Sequence, residues 1–488
     1  MNVQRTQTQV LIVGGGLVGL TTALVLRHHG VDVTLVEKRA TTSPQPKARR
    51  FHVRSLEIFR ELGLAETVHE AARGLADHDC MAVGRTLAEA EQLPPWRPSG
   101  PGESLDVSPE LPCLVAQNVL EPVLRRAAQD AGADIRFSTA LASFEQDTDG
   151  VVAEFAGSRL HAAHLVAADG ARSPVRSALG IGRSGRGAIG EDNVNVYFRA
   201  DLADVVRGRE FNICQIQHPE APGGLLSVDG RLDWVFMTPG GEVDRDWPAL
   251  VRTALGVPAP DLEVMSVLPW RPEMLVADRY SSGRVHLAGD AAHVMPPYAA
   301  VGANTGIADA HNLGWKLAAV LSGAAAPSLL DSYDAERRPA GWFAADQSSR
   351  RSTDLTAAPD PTLAHPFVLV AGGFQYSAGA ISGGPAEGGE AEPVTEFAPA
   401  GRVGTRIPHR WLDTARTRST VDLAGPGWAL AVADDPQRWQ PAGIPVHRLD
   451  VDFLRAGEGV LIRPDDVVAW RGTDPTAPAN VLEKLLRA

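Results

Sequence analysis

Three things are scarce in this 488-residue chain. Cysteine occurs only at Cys80, Cys113 and Cys214. An odd number at distant positions excludes a disulfide framework and a CxxC redox or metal site, so no metal is expected. Lysine is confined to Lys38, Lys47, Lys316 and Lys484, and arginine carries nearly all the positive charge. We read that as compositional bias. No run of about eighteen apolar residues is present to span a membrane. The opening MNVQRTQTQV has no apolar signal core. A cytoplasmic protein without a membrane segment is expected. The net charge of -13 argues against a nucleic-acid surface. At 44% hydrophobic and 22% charged residues, the composition is that of a globular chain with ample core.

The first hundred residues carry a dinucleotide fingerprint. An apolar run, Gln9 to Val13, leads into Gly14-Gly15-Gly16-Leu17-Val18-Gly19 and then a helix-like stretch. A second strand, Val31 to Val36, ends at Glu37, about eighteen residues beyond Gly19. Gly14 and Gly16 suit a tight turn that lets backbone approach a pyrophosphate, and Gly19 allows close helix–strand packing. Glu37 is placed to accept ribose hydroxyls. The pattern alone does not separate FAD from NAD. A basic cluster follows (Lys47, Arg49, Arg50, His52, Arg54) before a helix over 55–62, and suits a diphosphate neighbourhood. Gln117 opens a helical stretch at a strand-to-helix junction, where an amide could reach a phosphate.

A second strand–acid–glycine unit comes at Ala168-Asp169-Gly170, with Ser173 and Pro174 starting a helix. A third comes at Arg284 to Leu317. There a buried strand breaks at Gly289-Asp290, crosses Pro296 and Pro297, and becomes a long helix from about Asn304. Asp290 lies where open α/β sheets place their ligands. The N–H groups around Gly302, Asn304 and Thr305 form a donor nest for an anion. An acceptor for hydroxyls beside such a nest suits a flavin, with ribitol at Asp290 and the pyrimidine end of the ring at the helix start. Between these units, residues 190–271 alternate short strands and turns and read as antiparallel sheet. Ile213, Gln215, Trp234, Phe236 and Met237 are candidates for its substrate-facing side, with Pro296 opposite. Residues 375–400 read as a linker.

Taken together, GGGLVG, Ala168-Asp169-Gly170 and Gly289-Asp290 before the proline-rich helix start resemble the FAD-dependent aromatic hydroxylases of the para-hydroxybenzoate hydroxylase fold. The flavour is that of the polyketide hydroxylases of tetracenomycin, angucycline and anthracycline type and of the rifampicin monooxygenases. The resemblance implies an α/β protein: a Rossmann-like FAD-binding domain (1–75, 106–188 and 272–372), an inserted antiparallel-sheet substrate domain (76–105 and 189–271), and a C-terminal thioredoxin-like α/β domain (395–488) lacking CxxC. It implies cofactor contacts from Gly14, Gly16, Gly19, Glu37, Lys38, Lys47, Gln117, Asp169, Asp290, Pro297, Gly302 and Asn304. Lys47 stands where the family has arginine, and Arg49 or Arg50 could substitute. Ala299-Ala300 stands where Gly-Gly is common.

The activity implied is that of a monooxygenase. Bound FAD is reduced by NADPH or NADH, reacts with O2 to a C4a-hydroperoxide, and passes one oxygen atom to a small aromatic substrate. His52, Arg54 and His293 are the candidates for a base. A Baeyer–Villiger or epoxidising monooxygenase, an alkene reductase, and a non-catalytic flavin-binding protein are the alternatives. A monomer or homodimer is expected.

Overall fold

The computed structural model describes residues 6–93, 106–259, 261–351, 362–365, 368–369, 371, 375–384, 394–440 and 443–487. Residues 94–105 of the expected substrate domain and 385–393 of the expected linker lie outside them.

The main sheet is built from apolar, β-branched runs that can be buried on both faces. Its core is five parallel strands in the order Val285–Leu287, Ser158–Ala167, Gln7–Val13, Val33–Val36 and Asp134–Arg136. The registers Val13↔Ala167, Val13↔Val36 and Ala167↔Leu287 bring the carboxyl ends of four strands level. Gly14, Glu37, Asp169 and Asp290 all follow these ends along one edge.

The Leu17–His28 helix and the long Val301–Leu321 helix pack directly on each other. Gly306 makes the close approach possible, since a Cβ there would lie 2.5 Å from Val18 Cγ2. The long helix begins at Val301 rather than near Asn304, because Ala299 and Ala300 are left-handed and stop it extending further back. The Thr305 N–H therefore lies beyond the four free donors of the first turn. The strand that ends before Ala168 starts at Ser158, and its hairpin neighbour Val151–Phe155 pairs in turn with Ser143–Gln146.

The second sheet has seven strands in the order Glu263–Trp270, Asn193–Arg199, Asp233–Pro239, Ala221–Ser227, Ile213–His218, Met81–Gly84 and Glu91–Gln92. One face carries Val194, Val196, Phe198, Trp234 and Phe236 and packs on the Trp247–Leu255 helix to form a separate core. The other face turns toward the nucleotide-fold part. There Tyr197, Leu226 and Val235 meet Ala116, and Gln45 Nε2 donates to Ser266 Oγ at 2.9 Å.

The C-terminal sheet runs Val446–Arg448, Ala429–Val432, Gly459–Ile462, Val468–Gly472, with the first pair parallel and the others antiparallel. Helix Ala477–Arg487 closes it. Buried ion pairs tie this unit to the helices of the first. Arg406 bonds Glu57, Arg54 bonds Asp466 at 2.8 Å, and Arg463 bonds Glu336. No helix among the described residues is long and apolar enough to cross a membrane.

Candidate flavin and substrate site

The glycine turn is shaped by contacts that forbid a side chain. Gly14 has φ +114°, and a Cβ there would lie 2.2 Å from the Ala168 carbonyl oxygen. A Cβ on Gly19 would lie 1.9 Å from the Gly14 oxygen, so that glycine seats the helix on its own turn. Gly16 faces the more open side, with only Glu121 Oε1 near, at 3.5 Å. Glu37 accepts from the N–H of Gly15 and of Arg39, both at 2.8 Å, and so stands beside the turn.

Asp169 lies next to this turn. One oxygen accepts from Val175 N–H at 3.1 Å, and the other is buried without a partner. Burial raises its pKa, against the opposing bonds from Ser173 and Val175. Ser173 caps the following helix by accepting from Arg176 N–H at 2.9 Å.

Asp290 sits in an open cleft at the last strand end, and its carboxylate has no protein partner among the described residues. Asp309 holds the turn behind it. Its Oδ2 accepts from Gly289 N–H at 3.1 Å and pairs with His293 Nε2 at 2.7 Å, while Oδ1 accepts from Arg337 Nε at 2.8 Å. Burial alone would push the Asp309 carboxyl up, but Arg337 and then His293 outweigh it and hold it below the usual range.

Beyond Asp290 the chain bends through Ala299 (φ 61°) and Ala300 (φ 52°) into the long helix. The left-handed region costs a residue with a Cβ about 1–2 kcal/mol, so this bend must be held by its surroundings. No side chain caps the helix and no acidic residue occupies its first turn, which leaves its N–H groups to favour an anionic group. Gly302 is open on its ligand side, with Met295 Cγ at 3.5 Å from a Cβ position. Pro297 is exposed, as are Lys38 and Lys47.

Several expected residues are committed elsewhere. Arg49 is buried and donates to Asn212 Oδ1 at 2.6 Å and to the Asn212 and Ser227 carbonyls in the second sheet; Arg50 pairs with Asp79 at 2.7 Å. Both therefore look away from a diphosphate. Gln117 is the first residue of the Gln117–Asp130 helix. Its Oε1 accepts from Ala48 N–H at 3.2 Å and its Nε2 donates to Glu121 at 2.6 Å. Glu121, unmarked in the sequence reading, also accepts from the Leu17 and Ser43 N–H groups and so bridges the helix start to the 43–48 loop.

The base candidates fare no better. Arg54 is tied to Asp466, Glu57 and the Asp465 carbonyl. His293 is buried against Asp309 and Tyr280. His52 Nε2 bonds the Ala299 carbonyl at 2.8 Å, and burial pushes its pKa down to about 4. His293 Nδ1 is buried without a partner, and His52 and Arg54 line a small cavity with Asn304, His311 and Arg337. Asn304 uses both amide hydrogens on the Arg50 and Ala300 carbonyls, and its Oδ1 accepts from His52 N–H and Ser55 Oγ, so its side chain is fully committed within the protein.

The substrate wall divides by strand alternation. Trp234 and Phe236 are fully buried in the second core, and Trp234 Nε1 donates to the Ala200 carbonyl at 3.1 Å. They face away from the cleft. Ile213, Gln215 and Met237 occupy the opposite, half-open face, in register with Leu226 and Gly224. Asn195, Leu268 and Trp270, which sequence reading passed over, share that face, and Trp270 Nε1 donates to Asn195 Oδ1 at 2.7 Å. Pro296 is buried and its carbonyl accepts from Ser348 Oγ at 2.7 Å, so it does not line the opening.

A glycine turn, a ribose-side acid and an open carboxylate at level strand ends, facing a half-polar sheet, define a dinucleotide-cofactor flavoprotein. Residues 7–348 match the FAD binding domain family, and residues 400–488 match the aromatic-ring hydroxylase C-terminal family. The chain is 40% identical to a putative polyketide hydroxylase of Streptomyces halstedii, over 98% of this chain and 95% of the relative. It is 39% identical to the tetracenomycin A2 monooxygenase-dioxygenase of Streptomyces glaucescens, over 95% of this chain and 93% of the relative. A crystal structure of aklavinone-11 hydroxylase in a ternary complex with FAD and aklavinone superposes with a TM-score of 0.85 at 32% identity, over the full length of both chains. The protein belongs to the FAD-dependent aromatic-ring hydroxylases and is a flavoprotein monooxygenase, as the three motifs had indicated.

Proposed function

We propose that the protein is an NAD(P)H-consuming hydroxylase that inserts one oxygen atom from O2 into a polycyclic aromatic or polyketide-derived phenol. The observation that carries this reading is the alignment of four strand ends, which Gly14, Glu37, Asp169 and Asp290 follow on one level. The second-sheet face that holds Ile213 and Met237 also holds Tyr197, Leu226 and Val235, which pack on Ala116 of the nucleotide-fold part. The relatives whose names include a polyketide, tetracenomycin or aklavinone give the substrate class.

The residues present fit FAD. Glu37 would accept ribose hydroxyls, the Gly14–Gly19 turn would admit the pyrophosphate, Asp290 would accept from the ribitol, and the first-turn N–H groups of the Val301 helix would face the pyrimidine edge. Bound FAD would supply the redox and oxygen chemistry, drawing on NAD(P)H and O2. The protein's part is to orient and to exclude water. Leu268, Ile213 and Met237 offer an apolar wall to a fused-ring substrate, while Gln215 and the Trp270-bonded Asn195 fix its polar edge.

The test is the visible spectrum of the purified protein, followed by NAD(P)H oxidation and oxygen uptake with a panel of phenols and anthraquinone-type polyketides. A yellow protein with substrate-stimulated, oxygen-dependent turnover and a hydroxylated product supports the reading. A ring-expanded or epoxidised product would reassign the reaction, and turnover without oxygen uptake would make the protein a reductase.

A further inference from the structure

The bend at Ala299–Ala300 is the one place where this site carries two consecutive left-handed residues that possess a Cβ. Every carbonyl along it is held from behind. Pro296 and Tyr298 share the Ser348 hydroxyl at 2.7 and 2.8 Å. Pro297 accepts from Ala300 N–H at 3.1 Å. Ala299 accepts from His52 Nε2 at 2.8 Å, and Ala300 accepts from Asn304 Nδ2 at 2.6 Å. The last two clamps are themselves coupled, because Asn304 Oδ1 accepts from His52 N–H at 2.9 Å.

His52 Nε2 and the whole Asn304 amide are spent on this bend and its neighbours. A carbonyl only accepts, so His52 Nε2 carries the hydrogen, and burial keeps the ring neutral. Asn304 has spent both donors and both acceptor positions within this cluster. A carbonyl fixed on one side aims the N–H across the same peptide plane to the other side. The Ala300 carbonyl thus aims the Val301 N–H, while the Ala299 carbonyl fixes the plane whose N–H closes the bend onto Pro297.

We propose that His52 and Asn304 are positioning residues for the flavin: they lock Ala299–Ala300 in its left-handed form and thereby aim the first-turn N–H groups of the Val301 helix at the ring. The inference rests on the reading of that helix start as a flavin contact. Released from the clamp, two alanines fall back to right-handed conformations, and the donors turn away from the ligand. Glycine, which populates the left-handed region freely, would not need the clamp. The two clamps therefore matter because alanine stands at 299 and 300.

The test is a mutant cycle read by FAD titration of the apoprotein, with the visible spectrum and reduction potential of the bound flavin recorded for each variant. His52→Phe is expected to weaken FAD binding about tenfold, the effect of losing one well-made contact, and to shift the flavin potential. His52→Gln keeps an N–H donor at similar reach and is expected to stay close to the parent. In an A299G/A300G background, His52→Phe is expected to cost no more than about twofold, a small fraction of that contact. An equal loss in both backgrounds, or no loss in the alanine background, overturns the proposal. So does an equal fall in apoprotein melting temperature in both backgrounds with FAD affinity and potential unchanged, since that is the mark of simple packing. If His52→Phe does not fold, Asn304→Ser, which removes the amide donor to Ala300, is carried through the same cycle with the same expectations. Failure of the parent protein to bind FAD would instead sink the flavin reading itself.

Discussion

Arg463 and Glu336, 127 residues apart in sequence, meet through two hydrogen bonds of 2.8 Å with both side chains fully buried. Asp465 completes the arginine's shell, and Lys316 Nζ adds a bond of 2.8 Å to Glu336. The pair joins the C-terminal unit to the Asp331–Ser349 helix, which also supplies Arg337 to Asp309 behind the flavin turn. The appended unit, which has no thiol pair for redox chemistry, thus acts on the helices that frame the site.

Breaking that pair should be costly. Removing one partner of a buried ion pair leaves an uncompensated charge, at about 3–5 kcal/mol. Glu336→Gln is expected to lower the denaturation midpoint by that order and to make the C-terminal unit more sensitive to proteolysis. Unchanged stability would mean that Lys316 and Asp465 rearrange to cover the loss.

The same carboxylate sets a pH window. Burial pushes Glu336 up, but Arg463 and then Lys316 outweigh it and hold its pKa down at about 2. A depressed acid contributes stability above its unfolded pKa and loses it as pH falls through the folded value. The stability difference between the parent and Glu336→Gln should therefore be flat above the unfolded value of 4.5 and shrink from there toward pH 2. Urea melts across that range test this, and a difference that stays constant down to pH 2 would contradict it.

Asp309 holds Gly289, next to Asp290, the proposed ribitol contact. Asp309→Asn removes the charge opposite Arg337, again a buried-pair loss of about 3–5 kcal/mol, and loosens the turn. The variant is expected to purify with less flavin and to melt at a lower temperature. Asp290→Asn, at an open position, is expected to lose flavin affinity with little change in apoprotein melting. Equilibrium dialysis beside calorimetry separates the two cases.

The two faces of the second sheet give a further pair. Phe236→Ala should destabilise by about 3–5 kcal/mol, as core truncations of aromatics do, without changing KM in the folded fraction. Met237→Ala and Gln215→Ala should raise KM for the aromatic substrate with small changes in stability. Steady-state kinetics with thermal melts of the three variants decide it.

These assignments also show what a linear pattern can carry. The glycine turn, Glu37, Asp169 and Asp290 are legible because each follows a buried parallel strand, and the strand-end rule is local. The sheet's alternation is equally legible, but not which face turns inward. Trp234 and Phe236 looked like a roof because they are bulky, whereas a one-residue step in register sends their neighbours to the cleft instead. His52, Arg54, His293 and Asn304 have side-chain partners that the local sequence does not mark. Three of them are spent on partners far away in sequence, such as Ala299 for His52, Asp466 for Arg54 and Arg50 for Asn304. His293 is spent on Asp309, one helix further on. Asp309 itself left a signal, as the one carboxylate in the Val301–Leu321 helix, a group rarely buried without a partner. The clamp by Ser348 left none.

The most direct measurement of the central claim is turnover under labelled oxygen, ¹⁸O2, with an anthraquinone-type phenol and NADPH, followed by mass and position of the label in the product. One labelled oxygen atom on an aromatic carbon is the result this account predicts. A product without label, formed while NADPH is consumed, would contradict it.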